Sequence, residues 1–343
     1  MRKSKRRKVK PKKKKKRKPK VSAEEKPASR KWVYAAVAAI ALLIPTAVFL
    51  YSNLGQPAQT KAAIIDQLST FHSNQTFKQA VEQILLENFD TVDYFSEATV
   101  ELYEKLPLQG YKLIVWRTHS ALDEPKKWVA IATSEKYSPD KYAHEVEAGQ
   151  ITLCNLTLAD NAAGGFYFGI TPRFIRERIQ GKFSETVIVL LSCNGLRYSE
   201  PADAFVDKGA KAVISWSFWV DPVHNDNAGT LLLRLLIKEN MTIKKAVEAV
   251  PPDESYEIPS KLEYYPNAAG SYRIPNYKAQ KAEKSLKGTA FFQNLMLNEH
   301  VKQNVLEKTF QLVVSPAYDK VQFSPKVLTH QTWNSPKNPY FLS

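Results

Sequence analysis

Cysteine is scarce in this sequence, and the scarcity limits the kinds of site that the chain can build. Its 343 residues include two cysteines, Cys154 and Cys193. Two cysteines exclude a disulfide scaffold and a structural zinc cluster. The sequence also lacks a P-loop, the glycine pattern of dinucleotide-binding folds and the metal-binding helix of zincins. We therefore expect no cofactor and no metal, and a core large enough to fold without covalent bridges.

Net charge is almost absent once the N-terminus is set aside. Residues 1–31 carry 18 Lys or Arg and two acids, which leaves residues 32–343 with a net charge of −1. The sequence pI near 9.5 therefore describes this basic tail and says little about the partners of the remaining residues. The composition of the tail is typical of a disordered segment.

A long uncharged run follows the tail. Residues 32–51 read WVYAAVAAIALLIPTAVFLY, and about 20 helical residues span the hydrocarbon core of a membrane. The run predicts a single-pass transmembrane helix in the plasma membrane. The basic residues before it place the N-terminus in the cytoplasm and the rest of the chain outside. A cleaved signal peptide and a buried core helix are the alternatives.

The basic tail also suggests a partner. A lysine-rich block beside a membrane helix favours contact with anionic lipid. A nucleic-acid arm is the alternative, but no aromatic or glycine residues alternate with the lysines, so no nucleic acid is expected. Three Asn-x-Ser/Thr sequons fit an external domain and would accept glycans there. They begin at Asn74, Asn155 and Asn240.

Beyond a linker at residues 52–60, short apolar runs alternate with amphipathic segments. This order predicts an α/β domain over residues 61–250, with a mostly parallel central sheet flanked by helices. Strands are predicted at 62–65, 91–95, 111–116, 187–192 and 212–216. Helices are predicted at 76–89, 96–106, 202–208, 228–238 and 242–250, with another opening at Thr171 and Pro172.

Three local features complete the prediction of structure. Thr76 and Gln79 have the spacing of a capping box, and Ser96 is the expected cap of the next helix. The runs at 151–158 and 166–170 flank a glycine-containing turn and predict a hairpin. Residues 251–343 read as an irregular, partly β extension, with strand-like pieces at 310–314 and 320–323.

Two residues capable of covalent catalysis lie at predicted strand ends. His119 follows the third strand, and Cys193 follows the most apolar one. Sites in open α/β sheets form beyond the carboxyl ends of the strands. If the two strands are neighbours, an imidazole faces a thiol and can activate it for attack. Gly195 would allow a sharp turn, and backbone N–H groups of Ser120, Asn194 and Gly195 would face a developing oxyanion.

This layout resembles the caspase-like cysteine peptidases, which include the CHAT, legumain and gingipain-like branches. In those families one strand ends in His and a small residue, and a later apolar strand ends in Cys followed closely by Gly. The corresponding segments are RTHS at 117–120 and VIVLLSCNG at 187–195, and the similarity spans roughly residues 61–250. The resemblance implies a parallel sheet between helices, with His119 as general base and Cys193 as nucleophile of a peptidase acting on proteins.

The sequence also departs from that pattern. Ser120 stands where the families have glycine, and no specificity pocket can be read from the residues. Three acids are candidates for binding a basic substrate side chain: Asp203, Asp221 and Asp226. An inactive caspase-like module that binds a partner is therefore the alternative function. Cys154 is expected to be structural, although a disulfide with Cys193 would be feasible outside the cytoplasm.

Overall fold

The computed structural model of the protein describes residues 59–156 and 165–297, with side chains to residue 287. The predicted basic tail (1–31), the predicted transmembrane run (32–51) and most of the linker lie outside these residues. So do the strand-like pieces predicted at 310–314 and 320–323. Within the part that is described, no helix is long and apolar enough to cross a membrane.

A six-stranded sheet forms the centre of the molecule, in the order β10-β9-β8-β3-β1-β2. Five strands run parallel, and the edge strand β10 runs antiparallel to β9. Strand bounds are β1 Lys61–Asp66, β2 Thr91–Phe95, β3 Leu113–Arg117, β8 Val187–Leu191, β9 Ala212–Trp216 and β10 Leu262–Tyr265. The prediction of a mostly parallel central sheet is confirmed.

Helices cover both faces of this sheet. Alternate residues of each strand point to opposite faces, so that Ile64 and Val115 belong to one core while Ile65 and Trp116 belong to the other. The first core is closed by helices α1 (Gln75–Leu86), α6 (Pro222–Ile237) and α7 (Ile243–Glu248). The second is closed by α2 (Val100–Lys105), α4 (Pro172–Glu177) and α5 (Glu200–Asp207). A short helix, α3 (Ala143–Glu147), has no fully buried residue, and its Val146 packs against the second core.

Two helices have a different N-cap from the one that the sequence predicted, and α6, which was predicted at 228–238, begins earlier, at Pro222. Helix α1 is capped by Asn74, whose side chain accepts a hydrogen bond from the Phe77 N–H, so the predicted capping box at Thr76 is wrong. Helix α2 is capped by Thr99 and not by Ser96. An asparagine or threonine that lies just before the first apolar turn supplied the cap in each case. The predicted start of α4 is confirmed, because Thr171 caps it.

A second, four-stranded antiparallel sheet is inserted after β3, in the order β4-β5-β7-β6. Its hairpin of β6 (Ile151–Asn155) and β7 (Phe166–Ile170) is the one the sequence predicted. Strands β4 (Ser120–Asp123) and β5 (Trp128–Lys136) were not predicted. Because β4 begins at Ser120, this sheet starts directly after His119.

The C-terminal region differs from the predicted irregular extension. Strand β10 lies beyond residue 250, so the central sheet takes its edge strand from the predicted extension. Helix α8 then covers Tyr277–Leu297. Asn276 accepts a hydrogen bond from the Ala279 N–H and opens the helix, and the segment is rich in alanine and lysine, which favour helix.

Candidate active site

The register of two central strands determines where the candidate residues lie. Strands β3 and β8 are parallel neighbours in which Arg117 pairs with Leu191. The Thr118 N–H continues the ladder to the Leu191 carbonyl, at 3.2 Å. His119 lies two positions after Arg117, and Cys193 lies two positions after Leu191. The two strand ends therefore lie side by side. The Ser120 hydroxyl joins them by donating to the Cys193 carbonyl.

His119 is held by a residue that the sequence did not single out. The buried Gln67 follows β1, and its Oε1 accepts the His119 N–H at 2.9 Å and the Thr118 hydroxyl at 3.3 Å. The imidazole contacts two further rings, with centroid distances of 5.4 Å to Phe71 and 6.3 Å to His72. Gln67 therefore acts on the site by fixing the backbone that carries the imidazole.

Cys193 is half-buried and packs against the first core. Its Sγ accepts the Val220 N–H at 3.5 Å and lies 3.7 Å from the Val220 carbonyl oxygen. Burial raises the pKa of the thiol, the carboxylate of Asp253 raises it further, and the backbone hydrogen bonds lower it only in part. The resting group is therefore a neutral thiol, and a base must remove its proton before it can act as a nucleophile.

The two residues after Cys193 are constrained by close contacts. Asn194 has a left-handed backbone with φ of 57°, and its N–H donates to the Phe218 carbonyl at 2.8 Å. That N–H therefore has a partner inside the protein, and we assign it no oxyanion role. A Cβ at Gly195 would lie 2.1 Å from the Ser215 hydroxyl. Position 195 requires glycine because β9 approaches it closely. The sharp turn that was predicted at Gly195 is made instead by Asn194.

An ion-pair network lies behind the strand ends. Arg117 is 1% exposed, and its guanidinium donates to Asp66 at 2.7 Å and to both oxygens of Asp226 at 2.6 and 2.9 Å. It also donates to the His72 carbonyl at 2.8 Å, which fixes the segment that packs on His119. A buried arginine requires such partners, because an unpaired charge in the core is costly.

The three aspartates proposed to bind a basic side chain do not share a site. Asp226 is buried against Arg117 and also accepts from Asn74. Asp221 caps helix α6 by accepting the N–H groups of Val223 and His224. The remaining one, Asp203, accepts the hydroxyl of Tyr265 and belongs to α5, which packs on the opposite face from Cys193.

Two further residues near the thiol were missed by the sequence. Asp253 is 1% exposed, and its carboxylate accepts the N–H groups of Asp221 at 2.5 Å and Ser255 at 2.9 Å. Burial acts to raise the pKa of Asp253, but these hydrogen bonds outweigh it and the pKa is lowered. Tyr256 lies in the same segment and is 43% exposed. Both lie in a segment where apolar residues have no regular spacing, so the sequence alone did not indicate them.

The second cysteine is placed as a structural residue. Cys154 is fully buried in β6, and burial raises the pKa of its thiol to about 12. A Cβ at Gly169 on the neighbouring strand would lie 2.3 Å from its sulfur, so the two residues pack closely. Both cysteines are free thiols. Among the described residues, no group of three or more His, Cys, Asp or Glu side chains is arranged to hold a metal ion.

No protein-family model matches the chain, and no curated protein matches it. The caspase-like resemblance therefore depends on the residues of this chain alone.

Proposed function

We propose that this chain is a membrane-anchored, caspase-like cysteine endopeptidase that uses His119 and Cys193 on protein substrates outside the cytoplasm. The observation that carries the proposal is the register of β3 and β8, which brings the two residues to adjacent strand ends. An imidazole and a thiol at the carboxyl edge of a parallel sheet are the groups that acyl transfer needs.

In the proposed mechanism His119 accepts and returns a proton in each of two stages, acylation of Cys193 and hydrolysis of the acyl group. The imidazole takes the proton of Cys193, and the sulfur attacks the carbonyl carbon of the scissile peptide. The carbon–nitrogen bond then breaks, the amine leaves with the proton from the imidazolium, and an acyl thioester remains on the sulfur. Water activated by the imidazole hydrolyses the thioester and restores the thiol. We assign the N–H groups of Ser120 and Gly195 to the oxyanion.

The location of the proposed enzyme comes from the N-terminus. Residues 32–51 have the length and composition of a single membrane-spanning helix, and residues 1–31 have the charge that retains a tail in the cytoplasm. The same lysines would hold the tail against anionic lipid. The compact unit at residues 57–293 would then act on proteins at the outer surface of the plasma membrane.

A second candidate function is a caspase-like module that binds a partner without catalysis. The contacts of Cys193 favour this second function. The sulfur accepts a hydrogen bond from the Val220 N–H, and the pKa of the thiol is raised. The Asn194 N–H favours the binding module as well. It donates a hydrogen bond to the Phe218 carbonyl, so one of the expected oxyanion donors is already engaged within the protein.

Labelling of the full-length chain in detergent with an electrophilic peptide ketone separates the two functions. Mass spectrometry would locate and time the modification in the wild type and in His119→Ala. A peptidase predicts modification at Cys193 that slows at least about a hundredfold in the variant, as expected for loss of a general base. Cys154 is the internal control and stays unmodified. Absence of labelling, or labelling indifferent to His119, would favour the binding module.

A further inference from the structure

Exposed apolar side chains lie on two segments that the proposed mechanism does not use, and one of these segments contacts the thiol of Cys193. The first segment, residues 217–224, follows β9, and the second, residues 253–261, precedes β10. Together they form what we call the rim. Four exposed apolar residues belong to it: Trp219 at 53%, Val223 at 68%, Tyr256 at 43% and Ile258 at 53% exposure.

Hydrogen bonds join the two segments of the rim to each other. The Phe218 N–H donates to the Ser260 hydroxyl at 3.0 Å, and the Ser217 N–H donates to the Lys261 carbonyl at 2.9 Å. The Asp221 N–H donates to the Asp253 carboxylate at 2.5 Å. These bonds tie the segment that carries Trp219 to the one that carries Tyr256 and Ile258.

The rim also adjoins the nucleophile. Val220, which follows Trp219, contacts the sulfur of Cys193 through its backbone. The second segment reaches the same place through Asp253, whose carboxylate accepts the N–H of Asp221, the residue after Val220. Single exposed apolar side chains are ordinary on protein surfaces, but a group of them beside a reactive residue marks a place where a ligand is bound.

The rim carries charged groups as well as apolar side chains. The carboxylate of Asp221 caps α6, and that of Asp253 is buried and accepts two backbone N–H groups. Three charged residues of the second segment are exposed, namely Glu254, Glu257 and Lys261. An apolar ligand side chain can pack on the four exposed apolar residues of the rim, and it needs no partner charge there.

We infer that the rim selects protein substrates that have a large aliphatic or aromatic side chain immediately before the scissile bond. The occupant is an extended segment of the substrate, with that side chain against Trp219 and Ile258 and its carbonyl carbon at the Cys193 sulfur. This inference rests on the proposed peptidase function and replaces the expected preference for a basic residue.

Three peptide ketone probes that differ only in the residue next to the electrophile test the inference. The full-length chain in detergent is labelled with the leucine, arginine and aspartate forms, and the rate at Cys193 is followed by mass spectrometry. We expect the leucine probe to react at least about tenfold faster than the others, the range that one apolar contact supplies. Fastest reaction of the arginine probe would assign the specificity to the exposed acids Glu254 and Glu257. Fastest reaction of the aspartate probe would assign it to Lys261. Either result overturns the inference and leaves the peptidase function standing, whereas no reaction with any probe removes both.

Two variants and a matched control locate the preference on the rim. Trp219→Ala and Ile258→Ala should each slow the leucine probe about tenfold and leave alkylation by iodoacetamide within about twofold. Phe166→Ala is the control, because Phe166 is 51% exposed but lies on β7 of the second sheet. Wild-type rates in both rim variants would overturn the assignment. Faster labelling in Trp219→Ala would also overturn it, because the rim would then hold a segment of this chain and not a substrate.

Discussion

At the scale of single residues, Gly195 is the position where one added atom has the clearest consequence. An alanine Cβ would lie 2.1 Å from the Ser215 Oγ and 3.1 Å from the Leu190 Cδ2. The Ser215 hydroxyl cannot move away freely, because it donates to the Leu190 carbonyl at 2.6 Å. We expect Gly195→Ala to lower the free energy of unfolding by about 1–3 kcal/mol, as overpacking does.

Thermal unfolding of the full-length chain in detergent measures this effect. The double variant Gly195→Ala with Ser215→Gly removes the clashing side chain and should recover part of the loss, while Ser215→Gly alone serves as the control. A Gly195→Ala protein as stable as the wild type would show that β9 does not approach this closely.

Cys193 gives the second residue-scale prediction, which concerns pH. Because burial raises the pKa of its thiol, the neutral form predominates at neutral pH. The thiolate forms only at pH values above the ordinary pKa of a cysteine. Alkylation by iodoacetamide, which has no peptide to bind, should therefore be slow at neutral pH and rise steadily in alkali. Cys154, whose pKa is about 12, should react more slowly still. A Cys193 rate that already levels off below neutral pH would contradict this picture of the resting site.

At the scale of elements, Arg117 joins β1, β3 and helix α6 through its two carboxylate partners. Removal of the guanidinium would leave Asp66 and Asp226 buried together without a balancing charge. We expect Arg117→Met to cost about 3–5 kcal/mol of unfolding free energy, the range for breaking a buried pair. Arg173→Met is the matched control, since Arg173 pairs with Glu177 at the surface and its loss should cost about 1 kcal/mol or less.

A rescue variant distinguishes charge imbalance from loss of side-chain volume. Changing both carboxylates to amides in the Arg117→Met background, with Asp66→Asn and Asp226→Asn, removes the imbalance and should restore much of the stability. Equal melting temperatures for Arg117→Met and Arg173→Met would mean that the network contributes little.

At the scale of the whole molecule, the N-terminal anchor makes a prediction independent of the active site. If residues 32–51 span the membrane, the full-length chain stays with the membrane pellet during extraction with alkaline carbonate. Vesicles with anionic lipid should bind a peptide of residues 1–31 more tightly than neutral vesicles, and salt should weaken the binding. Release of the chain by alkaline carbonate would show that residues 32–51 do not anchor it in a membrane.

The sequence predicted the central sheet because its strands are short, apolar and separated by amphipathic helices. It also placed His119 and Cys193 at strand ends, which depends only on local pattern. It missed Gln67 and the partners of Arg117, since these contacts join residues that are 51 to 109 positions apart. It missed strand β4 because Ser120–Asp123 is too short and mixed to show a period. The rim was missed for the same reason, as residues 253–261 contain little regular structure.

Hydrolysis of a fluorogenic peptide library by the full-length chain tests the central claim most directly. Residues that act as a unit lose activity together, so the account predicts that His119→Ala and Cys193→Ala each lower kcat/KM by about a thousandfold or more. The double variant should be no worse than Cys193→Ala. Hydrolysis that survives in Cys193→Ala, or a wild type no more active than that variant, would contradict the assignment of His119 and Cys193 as a catalytic pair.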